Sequence, residues 1–125
     1  PVQVGALVLE FAEVPHFVPV HAVSVRTTAG GRFVFGADHR PCDEIIDFAR
    51  GADLLMLEAT LLMPETGIRG HMTSAEAAEI ARDAGVDRLV LTHMSDELPR
   101  EQLLADATAV HRNTVLAVQG AEYAF

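Results

Sequence analysis

The sequence predicts an α/β domain built on a mixed sheet with helical cover, and three observations support this fold class. The first third of the chain is rich in β-branched and aliphatic residues and contains a glycine turn at residues 29–31, which is typical of antiparallel strands. After residue 35, short continuous apolar runs alternate three times with helical patterns, which favours parallel strands joined by helices. Half of the 125 residues are hydrophobic and 22% are charged. A disordered chain is therefore excluded, and residues 1–125 are expected to form a single domain or part of one.

The N-terminal third is predicted to consist of strands. Residues 2–14 form one sheet segment rich in valine and leucine. In residues 17–26, apolar or small residues recur at every second position from Val18, which places them on one face of a strand. Another strand covers residues 32–35 after the glycine turn, so we expect an antiparallel hairpin here.

The remainder of the chain is predicted to alternate between helix and strand. Pro41 and Gly51 bound the first helix, because proline suits a first turn and glycine ends a helix. Thr73 and Glu76 form a T-x-x-E capping box for the second helix, which ends at Gly85. The predicted helices cover residues 42–50, 74–84 and 101–110, and the predicted strands cover 53–58, 88–92 and 114–118, with a tail hairpin at Gly120.

The charged residues make the chain strongly acidic. All nine basic residues are arginine, and 18 acidic residues bring the formal net charge to −9. The arginines are scattered along the chain, so the surface is expected to repel phosphate backbones. A nucleic-acid partner is therefore disfavoured.

Two absences within the 125 residues narrow the protein class. No apolar run approaches the roughly 18 residues that cross a bilayer, and no signal-peptide pattern is present, so we expect a cytoplasmic protein without a membrane partner. The lone Cys42 excludes an intrachain disulfide and a cysteine-based zinc cluster. Histidines and carboxylates must hold any metal.

Ionisable side chains follow three successive predicted strands. Asp38, Glu58 and His93 lie at these strand ends, where ligands collect in parallel sheets. His71 lies in a glycine-flanked loop that can reach the same edge, and His16 comes from the first hairpin. Imidazole and carboxylate groups suit zinc, manganese or iron. The alternative is that these side chains only cap helices and fill loops.

Five segments carry a resemblance to a known family. They resemble, in order, the motifs of metallo-β-lactamase-fold hydrolases and are most similar to the ribonuclease Z branch. The segments are H-F-V-P (16–19), F-V-F-G-A-D-H-R-P-C (33–42), G-A-D-L-L-M-L-E-A-T (51–60), G-H-M-T-S (70–74) and L-T-H-M-S (91–95).

The resemblance implies an αββα sandwich and a specific division of roles. Asp38 would bridge two divalent metal ions, zinc or alternatively manganese or iron, while His16 binds one ion and His93 the other. His71 would donate a proton to the leaving oxygen, and Glu58 would orient a histidine. The nucleophile would be a metal-bound hydroxide, so Cys42 would have no catalytic role.

The 125 residues depart from the family pattern in two places. The family's first metal motif, H-x-H-x-D-H, does not occur among the six histidines, and His39 stands where the family has threonine. We therefore expect this chain to form the C-terminal half of the fold. It should pair with the missing N-terminal half or with itself, and be nearly inactive alone. His39 is a candidate further ligand or a packing residue.

Three functions remain open from the sequence. The leading hypothesis is a dinuclear metal-dependent hydrolase of a small ester or phosphodiester, in which His71, Asp38 and Glu58 are catalytic and His16, Asp38 and His93 hold metal. The second is a tRNA 3′-processing endonuclease like ribonuclease Z, against which the acidic charge counts. The third is a non-catalytic α/β interaction module.

Overall fold

A seven-stranded mixed sheet runs through the computed structural model, which describes all residues 1–125. The strands lie side by side in chain order, antiparallel from the first to the fourth and parallel from the fourth to the seventh. The strands are β1 (Val2–Val4), β2 (Leu7–Val14), β3 (Val20–Thr27), β4 (Arg32–Phe35), β5 (Leu54–Glu58), β6 (Arg88–Thr92) and β7 (Thr114–Leu116). The helices are α1 (Asp43–Ala49), α2 (Ser74–Ala84) and α3 (Arg100–Val110). The predicted α/β class with a mixed sheet is confirmed.

All three helices cover one face of the sheet. Each helix connects neighbouring parallel strands, and right-handed crossovers that advance in one direction place their helices on the same side. The helices pack against one another as well as against the sheet. The strand residues turned toward them are fully buried: Val34, Leu55, Leu57, Leu89 and Leu91. None of the three helices is long and apolar enough to span a bilayer.

The opposite face of the sheet has no helical cover. Phe11 on β2 is 51% exposed and Phe35 on β4 is 37% exposed, although both are large apolar side chains. The C-terminal residues cover only part of this face, where the ring of Phe125 lies 5.6 Å from that of Phe33. We call this surface, with Phe11, Val23, Val25, Phe35 and Met56, the open face.

The second helix, α2, has both of the end signals that its sequence predicts. The Thr73 side chain accepts a hydrogen bond from the backbone of Glu76, and the Glu76 carboxylate accepts one from the backbone of Thr73. Gly85 closes the helix in the left-handed conformation (φ 65°). The predicted capping box and glycine stop are both confirmed, because each depends only on neighbouring residues.

Several predicted strand bounds are wrong at their ends. Residues 2–14 are two strands rather than one, since a turn containing Gly5 (φ 59°) reverses the chain. β3 begins at Val20 rather than at residue 17, and β7 ends at Leu116 rather than at 118. The predicted tail hairpin at Gly120 is wrong: Gly120 lies in a turn, but no further strand follows it to form the second arm.

Candidate active site

The candidate site lies at the carboxyl ends of β4, β5 and β6. Glu58 is the last residue of β5, His93 directly follows β6, and Asp38 lies three residues after β4. The parallel pairing sets Glu58 beside Thr92, so these strand ends meet at one edge of the sheet. Two non-glycine residues there have positive φ, Ala37 (57°) and His93 (51°). Such backbone is costly for residues with a side chain and clusters at functional sites.

Three of the singled-out residues converge at this edge. Asp38, His71 and His93 each offer a ligand atom, and these atoms lie within 4.8 Å of one another. Nδ1 of His93 is 3.5 Å from Oδ1 of Asp38, and the rings of His71 and His93 stack with centroids 5.6 Å apart. Both Asp38 and His93 remain open to solvent, with 38% and 48% of their side chains exposed. The group is therefore accessible to an ion or a substrate.

Glu58 is the buried anchor of the site. Its Oε1 accepts the backbone N–H of His39 and lies 2.9 Å from Nδ1 of His71, while Oε2 accepts the backbone N–H of Met72. The residue is only 1% exposed, and three donors meet the requirement of a buried carboxylate for hydrogen bonds. The contact between Glu58 and a histidine, inferred from the motif, is thus present in the fold, with His71 as that histidine.

His16 reaches the cluster from the loop after β2. Its Nδ1 lies 2.8 Å from the carbonyl oxygen of Gly70, and its ring packs edge-on to His71 at 5.0 Å. His16 lies beside the group of Asp38, His71 and His93 rather than within it. Its assignment as a metal ligand stays a prediction.

The hydrogen-bond partners determine which ring nitrogens carry protons. A carbonyl oxygen can only accept, so Nδ1 of His16 donates to Gly70. Nδ1 of His71 likewise donates to the Glu58 carboxylate. In the neutral rings Nε2 therefore keeps its lone pair. The Nε2 of His71, a ring nitrogen of His93 and the Asp38 carboxylate form a donor set that fits zinc, manganese or iron.

His39 is a packed residue whose ring is buried behind the site. Its side chain is inaccessible to solvent, Nδ1 lies 2.8 Å from the carbonyl oxygen of Arg40, and Nε2 has no partner. Burial lowers the pKa of His39, so the ring is held neutral. A Cβ at Gly36 would overlap Cδ2 of Leu57 and lie 3.1 Å from that Nε2, which explains the glycine two residues before Asp38.

Cys42 and the two remaining histidines lie outside the site. Burial raises the pKa of the Cys42 thiol to about 11, so it is not a thiolate near neutral pH. His21 is exposed on β3, and His111 contacts the carbonyl oxygen of Val86 and the hydroxyl of Thr114. The raised pKa of Cys42 fits the absence of a catalytic role that the family resemblance implies for it.

Sequence reasoning missed two residues that organise the site. Thr60 contacts His93 through its hydroxyl, and Arg69 binds both carboxylate oxygens of Glu76 at 2.7 and 2.8 Å. Thr60 is the last residue of the family-like segment 51–60, but the sequence does not show that it contacts His93. Arg69 carried no signal, because a lone arginine in a loop is usually solvated.

Two sequence comparisons match most of this chain to known proteins. A family model described as β-lactamase superfamily domain matches residues 1–94. A curated ribonuclease Z from Gemmatimonas aurantiaca is 46% identical over 99 residues, which cover 74% of this chain and 31% of that protein.

Solved structures show the same fold. The metallo-β-lactamase fold protein YhfI from Bacillus subtilis superposes with a TM-score of 0.86 at 30% identity, covering 94% of this chain and 49% of the other. The short form of human tRNase Z superposes with a TM-score of 0.71 at 26% identity, covering 93% and 42%. The chain therefore spans between about a third and a half of the length of these proteins.

Proposed function

Because this chain belongs to the β-lactamase superfamily, within its metallo-β-lactamase-fold, ribonuclease Z-like branch, we propose that the protein is a metal-dependent hydrolase of phosphodiesters. One observation carries the proposal: Asp38, His71 and His93 converge at one sheet edge, and the buried carboxylate of Glu58 holds His71. A non-catalytic module would have no need of a buried carboxylate beside a half-buried and an exposed histidine.

Two divalent cations are proposed to bind here, held on this chain by His16, Asp38 and His93. When bound, such cations polarise the scissile group and activate water. The donor chemistry supports the assignment, since imidazole nitrogen and carboxylate oxygen are the groups that zinc prefers after thiolate. His71 offers a nitrogen to the same group of ligand atoms, so the experiment below separates the role of ligand from that of acid.

His71 is proposed to give the proton to the leaving oxygen. Its Nδ1 is engaged by Glu58 at 2.9 Å, so the proton is delivered from Nε2. The Glu58 carboxylate stabilises the protonated ring and holds its plane, while the ring of His16 packs against it. Glu58 acts on the reaction through His71 and is therefore a positioning residue.

The open face is proposed to pack against a second αβ half of the same fold. YhfI and the human tRNase Z are each about twice as long as the part that this chain matches. The open face presents the exposed phenylalanines Phe11 on β2 and Phe35 on β4, as expected of a surface that another layer covers. The remaining metal ligands would then come from that half.

Transfer RNA 3′ processing is the second candidate function. Relatives named ribonuclease Z, such as the one from Geobacillus kaustophilus at 42% identity over 92 residues, favour it. The net charge of −9 without a single lysine favours a small phosphodiester over a long RNA, because RNA binding relies on basic side chains.

The test is His71→Ala in the natural gene product that contains this chain, loaded with zinc or manganese. We expect turnover of an aryl phosphodiester to fall about 10²- to 10⁴-fold with unchanged metal content. His111→Ala is the matched control, since His111 lies away from the site. Loss of metal in His71→Ala would show that His71 is a ligand. Absence of phosphodiester turnover in the metal-loaded wild type would overturn the proposed function, and cleavage of precursor tRNA alone would establish the second candidate.

A further inference from the structure

Thr60 makes two contacts with a single residue, His93. The Thr60 hydroxyl oxygen lies 3.0 Å from the carbonyl oxygen of His93 and 2.8 Å from its ring nitrogen Nδ1. Thr60 follows β5 by two residues, and the intervening Ala59 donates its N–H to the carbonyl of Thr92 at 2.9 Å. The two residues after β5, Ala59 and Thr60, are therefore hydrogen-bonded to the successive carbonyls of Thr92 and His93.

These two contacts determine the protonation of the ring. A hydroxyl has one hydrogen, and the His93 carbonyl can only accept it. Nδ1 must then carry its own hydrogen and donate to the Thr60 oxygen. In the neutral ring, Nε2 of His93 is left with a free lone pair.

No other acceptor competes with Thr60 for the Nδ1 hydrogen of His93. The nearest alternative acceptor is Oδ1 of Asp38, which is 3.5 Å from Nδ1 and so beyond ordinary hydrogen-bond length. Because Thr60 takes the Nδ1 hydrogen, the Asp38 carboxylate keeps its lone pairs for a cation. The hydrogen bond between His93 and Thr60 thus leaves the side chains of His93 and Asp38 free to act as two separate ligands.

Thr60 also supports the backbone conformation of His93. His93 has a φ of 51°, which is costly for a residue with a Cβ. The hydrogen bond from Thr60 to its carbonyl supports this turn, and the turn aims the ring at the site. Ring and backbone of His93 are thus held by the same hydroxyl.

We propose that Thr60 is a positioning residue that sets the tautomer and orientation of His93, so that Nε2 is presented to a divalent cation. This rests on the proposed function only in giving His93 a cation to bind. The tautomer itself is a property of the metal-free protein, and it is testable without activity.

The experiment compares wild type, Thr60→Val and Thr60→Ser as ¹⁵N-labelled, metal-free proteins at a pH of about 8.5, where ordinary imidazoles are neutral. Two-bond ¹H–¹⁵N correlation spectra report which ring nitrogen is protonated, and His93→Gln identifies the signal. We expect the Nδ1–H form in wild type and Thr60→Ser, and its loss in Thr60→Val. Zinc affinity should fall about 10- to 100-fold in Thr60→Val, with recovery in Thr60→Ser.

Thr108→Val is the matched control, because the Thr108 hydroxyl donates only within its own helix, to Leu104 and Ala105. An Nε2–H ring in the wild type, or the same ring spectrum in Thr60→Val, would overturn the proposal. If Thr60→Val fails to fold, the wild-type and Thr60→Ser spectra still decide it. A lost tautomer with unchanged zinc affinity would overturn the link to the cation. Failure of the wild type to bind any metal would instead count against the proposed function.

Discussion

Single side chains at this site are oriented through one repeated arrangement. Each imidazole of the cluster has an oxygen within 2.9 Å of its Nδ1, supplied by a backbone carbonyl, a carboxylate or a hydroxyl. The pairs are His16 with Gly70, His71 with Glu58, and His93 with Thr60. Such contacts fix the ring plane and leave the other nitrogen for a ligand or a proton. The site is therefore preorganised before any ion binds.

Asp38 is the one carboxylate within the converging group, and we expect Asp38→Asn to weaken zinc or manganese binding by more than about 100-fold. The amide keeps the shape of the side chain but removes the negative charge that a cation needs. Isothermal titration calorimetry measures the change. Asp47→Asn serves as the control, because Asp47 pairs only with Arg50 on the exposed side of α1. Equal affinities in wild type and Asp38→Asn would show that Asp38 is not a ligand.

Among the elements, the N-terminus of α2 connects helix stability to the site. The loop that carries His71 ends at the capping box, where Arg69 and Thr73 both bind the carboxylate of Glu76. The Leu61 N–H also bonds to the carbonyl of Met72 at 3.0 Å, which ties this loop to the chain after β5. Loosening the start of α2 would therefore move the ring of His71.

Glu76→Gln should lower the free energy of unfolding by about 1–2 kcal/mol at neutral pH, since it weakens a capping box and a bidentate ion pair. Burial by itself would raise the pKa of Glu76, but the hydrogen bonds and charge of Arg69 together with Thr73 hold it below the ordinary value of 4.5. A carboxyl with a lowered folded-state pKa stabilises the fold above its unfolded value. That stabilisation is lost as the pH falls through the folded-state pKa.

Urea unfolding of wild type and Glu76→Gln at a series of pH values measures this difference. The gap between them should be full at neutral pH and close as the pH drops below the ordinary carboxyl value. Glu79→Gln, on an exposed position of the same helix, controls for the loss of one charge. A gap that persists unchanged in acid would contradict the assigned pKa direction.

At the scale of the whole molecule, the sheet is covered on one side and largely bare on the other. Helices α1 to α3 bury the central strands from one side, whereas Phe11 and Phe35 remain exposed on the open face. Large apolar side chains exposed together on one sheet face favour packing against another layer. We therefore expect another layer to pack on the open face, as proposed above.

Phe11→Glu tests the open face in two opposite ways. In the isolated 125-residue chain it should reduce self-association, because it places a charge at the centre of an apolar patch. In a protein that contains the proposed second half it should lower stability, because burying that charge against the partner layer is costly. Sedimentation and thermal unfolding measure the two effects. Ile68→Glu, at an 87% exposed loop position, is the control. An isolated wild-type chain that sediments as a monomer at all concentrations would argue against the pairing.

Local sequence signals predicted much of this fold. Thr73, Glu76 and Gly85 bounded a helix because caps depend on residues within one turn of each other. The positions of Asp38, Glu58 and His93 at strand ends followed from the alternation of strands and helices. The hairpin at Gly5 was missed because both of its arms read as strand, and hydrophobicity alone does not show where a chain reverses.

Contacts between distant residues were decided only in three dimensions. The sequence alone determined that ionisable residues follow successive strands and that a single cysteine cannot build a cysteine-based metal site. Its family motifs also identified each candidate residue. It did not show that His71 would join Asp38 and His93 while His16 lies beside them, nor that Thr60 would take the Nδ1 hydrogen of His93 across 33 residues. Hydrogen bonds act over about 3 Å, so a partner far along the chain is chosen by how the strands align in the sheet. Motif spacing limits which residues can meet, and the tertiary structure decides which atoms do.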